Sequence, residues 1–323
     1  MARIVSLGSA LQDIYLIDHN DFISGTLDDN SEIQVFKDLK IGSKVDIDRI
    51  KFFIGGGGTN SATTFARNGH EAIFIGNIGK DPAGEAILEK LDEEGIDASY
   101  VNISGKGNTG TSIILLDSNS GERTALTCRG LSAKFSNFNP KDLDFINPDW
   151  LYVTTLRGDM GTLLNFFEKA KSIGVKIMFN PGLLEFYNKK QLIGLLKDVD
   201  VLLVNKSEAS QLVPGTILTE LLSHLNNYVK TVIITDGAMG GIATDSEYSY
   251  RFGIYEDIKV KDTTGAGDAF GSGFLASYAK GKSFRSSLIF ASANSTSVVQ
   301  HYGAKSGILS SSVDLHPMPI QRI

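Results

Sequence analysis

Seven consecutive residues, Asp262-Thr263-Thr264-Gly265-Ala266-Gly267-Asp268, combine a place for an anion with an acid beside it. They fall between a strand-like run at 258–261 and a helix-like run at 269–279. Glycines on either side of Ala266 permit unusual backbone angles and close approach of a ligand. A helix that starts here presents unpaired N–H groups and the positive end of its dipole, which suit an anion. Asp268 would then stand where that anion meets a second reactant. The stretch reads as a phosphate cradle with a built-in base.

Three further motifs have residue types that serve such a reaction. Gly55, Gly56, Gly57 and Gly58 run directly into a helical pattern, with Asn60 in its first turn. Each glycine costs backbone entropy, so four together suit a ligand lying against bare backbone better than a simple turn. Asn60 adds a donor and an acceptor. Asn205-Lys206-Ser207-Glu208 follows an apolar strand, where ligands of open α/β sheets collect. Asn205 and Glu208 there can orient waters on Mg²⁺, or simply form a capping box. Thr235-Asp236-Gly237-Ala238-Met239-Gly240-Gly241 also follows a strand and suits either a nucleotide or a turn into an extended 241–244. Two look-alikes fail. The GxGxxxG pattern at Gly265 to Gly271 would set Asp268 against a dinucleotide pyrophosphate, and Gly281-Lys282-Ser283 lacks the earlier P-loop glycine because that position is Ala276.

The elements that must position these groups alternate. Residues 4–8 read as a buried strand ending in a glycine turn, 59–68 as a helix and 72–75 as a strand. Asp81-Pro82 gives an N-cap and a first-position proline, and Gly95 ends that helix. Strands at 150–154, 176–179, 199–204 and 231–235 are separated by helical segments. Continuous apolar strands alternating with helices predict a mostly parallel sheet covered on both faces. Two regions differ. Residues 32–36 and 44–48, and then 111–116 and 124–128 around an Asn119-Ser120-Gly121 turn, alternate polar with apolar. They predict one small β-element, split in sequence and projecting from the body.

Composition narrows the function classes. The net charge of −6 offers no general surface for nucleic acid. No apolar run reaches the roughly 18 residues of a membrane helix, and residues 4–11 lack a signal-peptide layout. The single cysteine, Cys128, cannot close an intrachain disulfide, and the five histidines show no metal-ligand spacing. A small-molecule enzyme of the cytoplasm is expected, without nucleic-acid or membrane partners.

In order along essentially the whole chain, these motifs resemble the ribokinase-like (PfkB-type) family of sugar and nucleoside kinases. The shared features are Gly8 to Asp13, the glycine run ending in Asn60, Gly79-Lys80-Asp81 with Gly84, Asn205 with Glu208, and Thr235 with Gly237 and Gly240. Residues 262–268 match the family pattern DTTGAGD at every position. The resemblance implies one domain over 1–323: a three-layer α/β/α sandwich with a mostly parallel central sheet and a small β-sheet lid from about 13–53 and 105–130. It implies transfer of the γ-phosphoryl group of ATP to a hydroxyl of a sugar or sugar derivative. A nucleoside kinase of the same fold is the alternative, and a non-catalytic sugar-binding relative a third.

Carried over residue by residue, the resemblance makes Asp268 the base and Gly265, Ala266 and Gly267 the anion hole. Asp13, Gly56, Gly57 and Asn60 hold the acceptor. Asn205 and Glu208 act near Mg²⁺, Glu208 through water, and Thr235, Gly237, Gly240 and Ser292 line the nucleotide, with Asn294 close by. Asp262, Thr264 and Gly303 match a K⁺ site of some members, and a homodimer through the lid would cover its strand edges. Where the family's ribokinases carry a sugar-binding glutamate, this chain reads Thr154-Thr155-Leu156-Arg157-Gly158. Arg157 suits an acidic or differently placed acceptor. A nucleoside would need stacking surface on the lid, for which Phe36, Phe52, Phe53 and Leu115 are the candidates.

Overall fold

A computed structural model describes residues 1–18, 42, 44, 47, 49–117 and 123–323. In chain order its strands are β1 (Arg3–Leu7), β2 (Leu11–Asp18), β3 (Arg49–Gly55), β4 (Glu71–Gly79), β5 (Val101–Ser104), β6 (Gly110–Asp117) and β7 (Arg123–Cys128). There follow β8 (Trp150–Val153), β9 (Lys176–Phe179), β10 (Val201–Asn205), β11 (Thr231–Thr235), β12 (Gly241–Thr244), β13 (Ser249–Phe252) and β14 (Ile320–Arg322). The large sheet has the order β14-β13-β12-β11-β10-β9-β8-β1-β4-β5. From β5 to β11 every neighbouring pair is parallel, and β12, β13 and β14 complete the sheet antiparallel.

Alternate residues of its central strands feed two separate cores, which is why these strands are apolar throughout. Val5, Ile177, Leu202 and Val232 belong to one core, with Phe166 of helix Met160–Ser172 and Leu221 of helix Leu218–Leu225. Ile4, Met178, Leu203 and Ile233 belong to the other, with Phe65 of helix Gly57–Arg67 and Phe274 of helix Ala266–Tyr278. The expected three-layer sandwich is present. Each fully buried side chain of this size contributes about 1.5–3 kcal/mol, so the sheet is a firm base for the loops at its edge. The expected caps also form. Asp81 accepts from the Gly84 amide at 2.9 Å with Pro82 as the first helical residue, and Gly95 adopts φ 68° just past that helix's end.

Residues 258–261 correct a sequence expectation: they form no strand. Their alternation of Ile258 and Val260 with lysines resembles a strand edge, but Val260 is exposed. The amides of Lys261 and Asp262 instead donate to the Val299 carbonyl, at 2.8 and 3.2 Å. The cradle is therefore hung from the end of helix Phe284–Val299 rather than from the sheet.

The split β-element is a four-stranded sheet of order β3-β2-β6-β7. Register aligns Asp13 with Ser112 and Ser112 with Thr127, and these face inward over the large sheet's edge. Ile14 aligns with both Phe52 and Ile113, and Ile113 with Leu126, on the opposite face. The expected strands at 111–116 and 124–128 fall within β6 and β7. The expected strand at 32–36, the 119–121 turn, Phe36 and most of 44–48 lie outside the described residues. Among the described residues no helix is long and apolar enough to cross a membrane.

Candidate active site at the strand ends

The carboxyl ends of the parallel strands converge on a cavity of about 440 Å³. Ser9 enters it after β1, Thr154 and Thr155 after β8, and Asn180 after β9. Asn205 and Glu208 enter at β10, and Thr235 ends β11. This is where the doubly wound architecture leaves unpaired loops and helix starts facing one another.

The cradle opens on Gly265, whose φ of 77° lies in the left-handed region and which precedes helix Ala266–Tyr278. A Cβ there would come within 2.4 Å of the Ala304 Cβ, so the position admits only glycine. A Cβ on Gly267 would meet nothing within 4 Å. That open space adjoins the helix start, where first-turn amides lack intrahelical partners, although the Ala266 amide itself donates to the Thr263 carbonyl at 3.3 Å. Asp262 organises the loop from inside. Its Oδ1 accepts from the Thr264 amide (2.9 Å) and hydroxyl (2.6 Å), and its Oδ2 from the Tyr15 hydroxyl (2.6 Å) and the Gly303 amide (3.0 Å). Arg123 Nη1 stands 3.7 Å from Asp262 Oδ1 and also donates to the Thr263 hydroxyl. Asp262, Thr264 and Gly303 are thus gathered at one place.

Asp268 sits in the first turn of that helix, and its Oδ2 accepts from Asn60 Nδ2 at 2.8 Å. The glycine run explains how Asn60 gets so close. Gly56 has φ 95°, and a Cβ there would lie 2.5 Å from the Ser9 carbonyl. A Cβ on Gly57 would press to 3.2 Å from Asp268 Oδ1. Bare backbone therefore lets the two helix starts meet with Asn60 and Asp268 between them. Burial raises the Asp268 pKa, opposed by the Asn60 hydrogen bond and the Lys305 charge. Burial also pushes Asp13 up to about 6, opposed by Lys305 and by a hydrogen bond with Ser112.

Lys305 is a residue that sequence reasoning missed. Its ammonium is buried and donates to the Ile54 carbonyl (2.7 Å), the Thr59 hydroxyl (2.8 Å) and Asn60 Oδ1 (2.6 Å). By holding Asn60 Oδ1 it turns the amide N–H₂ toward Asp268. Burial lowers the Lys305 pKa to about 7, against the opposing charges of Asp13, Asp268 and Glu94. Arg67 fixes the backbone here, donating to the Lys305 carbonyl at 2.7 Å while it clasps Glu94 at 2.8 and 2.6 Å. Lysine is so seldom buried that Gly303-Ala304-Lys305 gave no signal in the sequence.

Of the two readings of Asn205 and Glu208, the structure shows the capping box. Asn205 Oδ1 accepts from the Glu208 amide at 2.9 Å and Glu208 Oε2 from the Asn205 amide at 2.8 Å, a reciprocal capping box. Both also line the cavity. Burial raises the Glu208 pKa, opposed by the Asn205 contacts. Thr235 to Gly241 likewise form the turn between antiparallel β11 and β12, with Gly240 at φ 78°. Thr235, Gly237 and Gly240 also line a second cavity of about 120 Å³, beside the stacked rings of Phe252 and Phe270. Ser292 lines it too, its hydroxyl donating to the Gly253 carbonyl at 3.3 Å. Asn294 does not, because its side chain is spent inside the protein on the Ala269 carbonyl and the Leu309 amide. Gly267 and Thr235 border both cavities, so the cradle is where the two meet.

The description "pfkB family carbohydrate kinase" matches residues 1–310. The chain belongs to this family. A ribokinase of Haemophilus influenzae is 26% identical over 295 residues, covering 88% of this chain and 94% of that protein. The fold is shared with solved kinases of low identity. A Methanocaldococcus jannaschii nucleoside kinase has a TM-score of 0.78 at 21% identity, over 96% of this chain and 95% of that one. Arabidopsis thaliana ribokinase complexed with ribose and ATP has a TM-score of 0.78 at 23% identity, over 96% of each chain. pfkB kinases are ATP-dependent.

Among the described residues, none of the expected stacking candidates Phe52, Phe53 and Leu115 lines the larger cavity. Phe52 points outward and is exposed, and Phe53 packs edge-on against Tyr15 at 5.1 Å. Leu115 occupies the β6 register of the outer face, one residue from the inward Ile114. A one-residue difference in a strand reverses the face, and the sequence alone did not fix which residues look inward.

Proposed function

We propose that this kinase transfers the γ-phosphoryl group of ATP to a hydroxyl of a sugar or sugar derivative. One observation carries the reading: Asp268 stands at the cradle between two cavities, with Asn60 oriented against it. In the reaction the acceptor oxygen forms a bond to the γ-phosphorus. The bond from that phosphorus to the bridging oxygen breaks, ADP keeps the electron pair, and the hydroxyl proton passes to Asp268. Gly265, Ala266 and Gly267 hold the transferring oxygens with backbone N–H groups. Asp13 and Asn60 hold acceptor hydroxyls over Gly56 and Gly57. The second cavity takes the nucleotide along Thr235, Gly237, Gly240 and Ser292. Glu208 and Asn205 fit a water-mediated Mg²⁺ site, since hydrated magnesium needs only one or two oxygen anchors. Magnesium, when bound, neutralises charge on the phosphates.

The inward face of the four-stranded sheet supports a sugar over a nucleoside. Among the described residues its cavity-lining members include Asp13, Ser112, Thr127 and Ile114 but no aromatic ring. In this reading the sheet closes over the acceptor as a lid and keeps water from competing. Asp262, Thr264 and Gly303 form the K⁺ site of the same loop. The test is ADP release across neutral sugars and nucleosides, in potassium and in choline buffers. Sugar-dependent release that potassium accelerates is expected. Release with nucleosides alone would reject the sugar reading, and equal rates in both buffers the K⁺ site.

The lid's outer face supports a homodimer. Phe52, Ile14, Ile113 and Leu126 form one apolar row across all four strands, and Phe52 is 64% exposed. An exposed row of this kind, beside strand edges unpaired among the described residues, is normally covered. Sedimentation is expected to find a dimer that Phe52→Lys dissociates; a monomer at micromolar concentration would contradict the lid-to-lid contact.

A further inference from the structure

Two guanidinium groups that the reaction above does not use stand by the acceptor cavity: Arg129 lines it, and Arg157 lies two residues past the lining Thr155. Along β7 the odd-numbered residues Arg123, Ala125 and Thr127 face the cavity, and Arg129, just past the strand, continues the row. Register separates the two arginines. Arg123 pairs with Leu116 and contacts the cradle through Thr263. Arg129 lies six residues on, about 20 Å at strand rise, beyond the level of Asp13 and Ser112. Arg129 is therefore at the acceptor end.

Arg157 is the other group. Its backbone holds φ 57°, a left-handed conformation uncommon outside glycine. The loop that imposes it is built around Glu185, which is fully buried. Glu185 accepts from the Thr155 hydroxyl (2.9 and 2.8 Å), the Gly158 amide (3.1 Å) and the Gly182 amide (3.0 Å). The Thr155 hydroxyl in turn accepts from the Arg157 amide at 3.0 Å. Among the described residues neither Arg129 nor Arg157 forms an ion pair or side-chain hydrogen bond, whereas Asp13, Asp262, Asp268, Glu185 and Glu208 all have partners. The Arg129 pKa is lowered by burial first and by the neighbouring Arg157 charge second. Thr154 lines the same cavity on the side of Gly57 and Asp268, and its buried hydroxyl has no hydrogen-bond partner. Two cations without an acidic partner beside the acceptor cavity describe a surface for an anionic ligand.

We infer that the acceptor carries an anionic group, a carboxylate or a phosphate, which Arg129 and Arg157 hold at the end of the cavity remote from the cradle. This rests on the kinase reading and specifies the substrate class of that site. Thr154 meets a hydroxyl of the same ligand, and Asp13 with Asn60 orients the hydroxyl to be phosphorylated.

The test compares ADP release for matched acceptors in pentose and hexose series: the neutral sugar, its sugar acid and its terminal phosphate ester. The anionic members are expected to exceed the neutral ones in kcat/KM by about a hundredfold, the acid and phosphate arms distinguishing the two sources of charge. Arg129→Met and Arg157→Met are each expected to raise KM for the preferred anionic acceptor by about tenfold to a hundredfold. Neither should change ATP KM, and Arg129→Lys should recover part of the loss. Neutral sugars used as well as their acids and phosphates would overturn the inference and leave the kinase reading standing. No ADP from any member would overturn both.

Discussion

Replacing Asp268 with asparagine is expected to lower kcat by about 10²–10⁴-fold while ATP affinity stays within threefold. The substitution keeps the volume of the side chain and a partner for Asn60, which now donates to Asp268 Oδ2 at 2.8 Å. It removes the atom that receives the acceptor's proton. ATP affinity should hold because the cradle is backbone, formed by Gly265 to Gly267 at the start of helix Ala266–Tyr278. Steady-state rates and ATP titration of the variant make the check. A kcat within tenfold of the parent would remove Asp268 from the role of base.

Lys305→Met has the second large effect, and its signature is a moved pH profile. The Lys305 charge opposes the burial that raises both Asp13 and Asp268. Without it both carboxyls keep their protons to higher pH, and the active form needs them ionised. The acid limb of kcat/KM for the acceptor, set near the Asp13 value of about 6, should therefore move upward. A one-unit move is tenfold in protonation equilibrium. Methionine also frees Asn60 Oδ1, which Lys305 holds at 2.6 Å, so the amide can turn its oxygen toward Asp268. Neutral-pH kcat/KM should fall about tenfold to a hundredfold, with ATP KM little changed. Lys305→Arg keeps the charge and should hold the limb near its original place. A profile lowered evenly at every pH, with its limb unmoved, would make Lys305 a packing residue only.

The cradle and the glycine run were legible because chemistry there acts through the backbone, and backbone demands leave glycines at fixed spacing. Asn60 and Asp268 are 208 positions apart and still announced themselves, each at a helix start following glycines. Lys305 left no such trace. Its burial depends on acceptors at 54, 59 and 60 that only the folded chain brings to it. Glu185 and Arg129 were missed for the same reason: one is a brace between two loops, the other the last residue of a face that register defines. The sandwich was readable from apolar strands alternating with helices. The strand expected at 258–261 was not real, because alternation records side-chain exposure, whereas these amides find the end of a helix. Phe52 and Phe53 make the complementary point. Both are aromatic, but the pleat sends one outward and the other against Tyr15.

The central claim is that a phosphoryl group moves from ATP to an acceptor hydroxyl at Asp268. Phosphorus NMR of the protein with Mg²⁺, ATP and the best acceptor from the matched series tests it directly. The account predicts a new phosphate monoester resonance that grows in equal amount with ADP and is absent with Asp268→Asn. ADP accompanied only by inorganic phosphate, or a monoester that Asp268→Asn forms as fast, would contradict it.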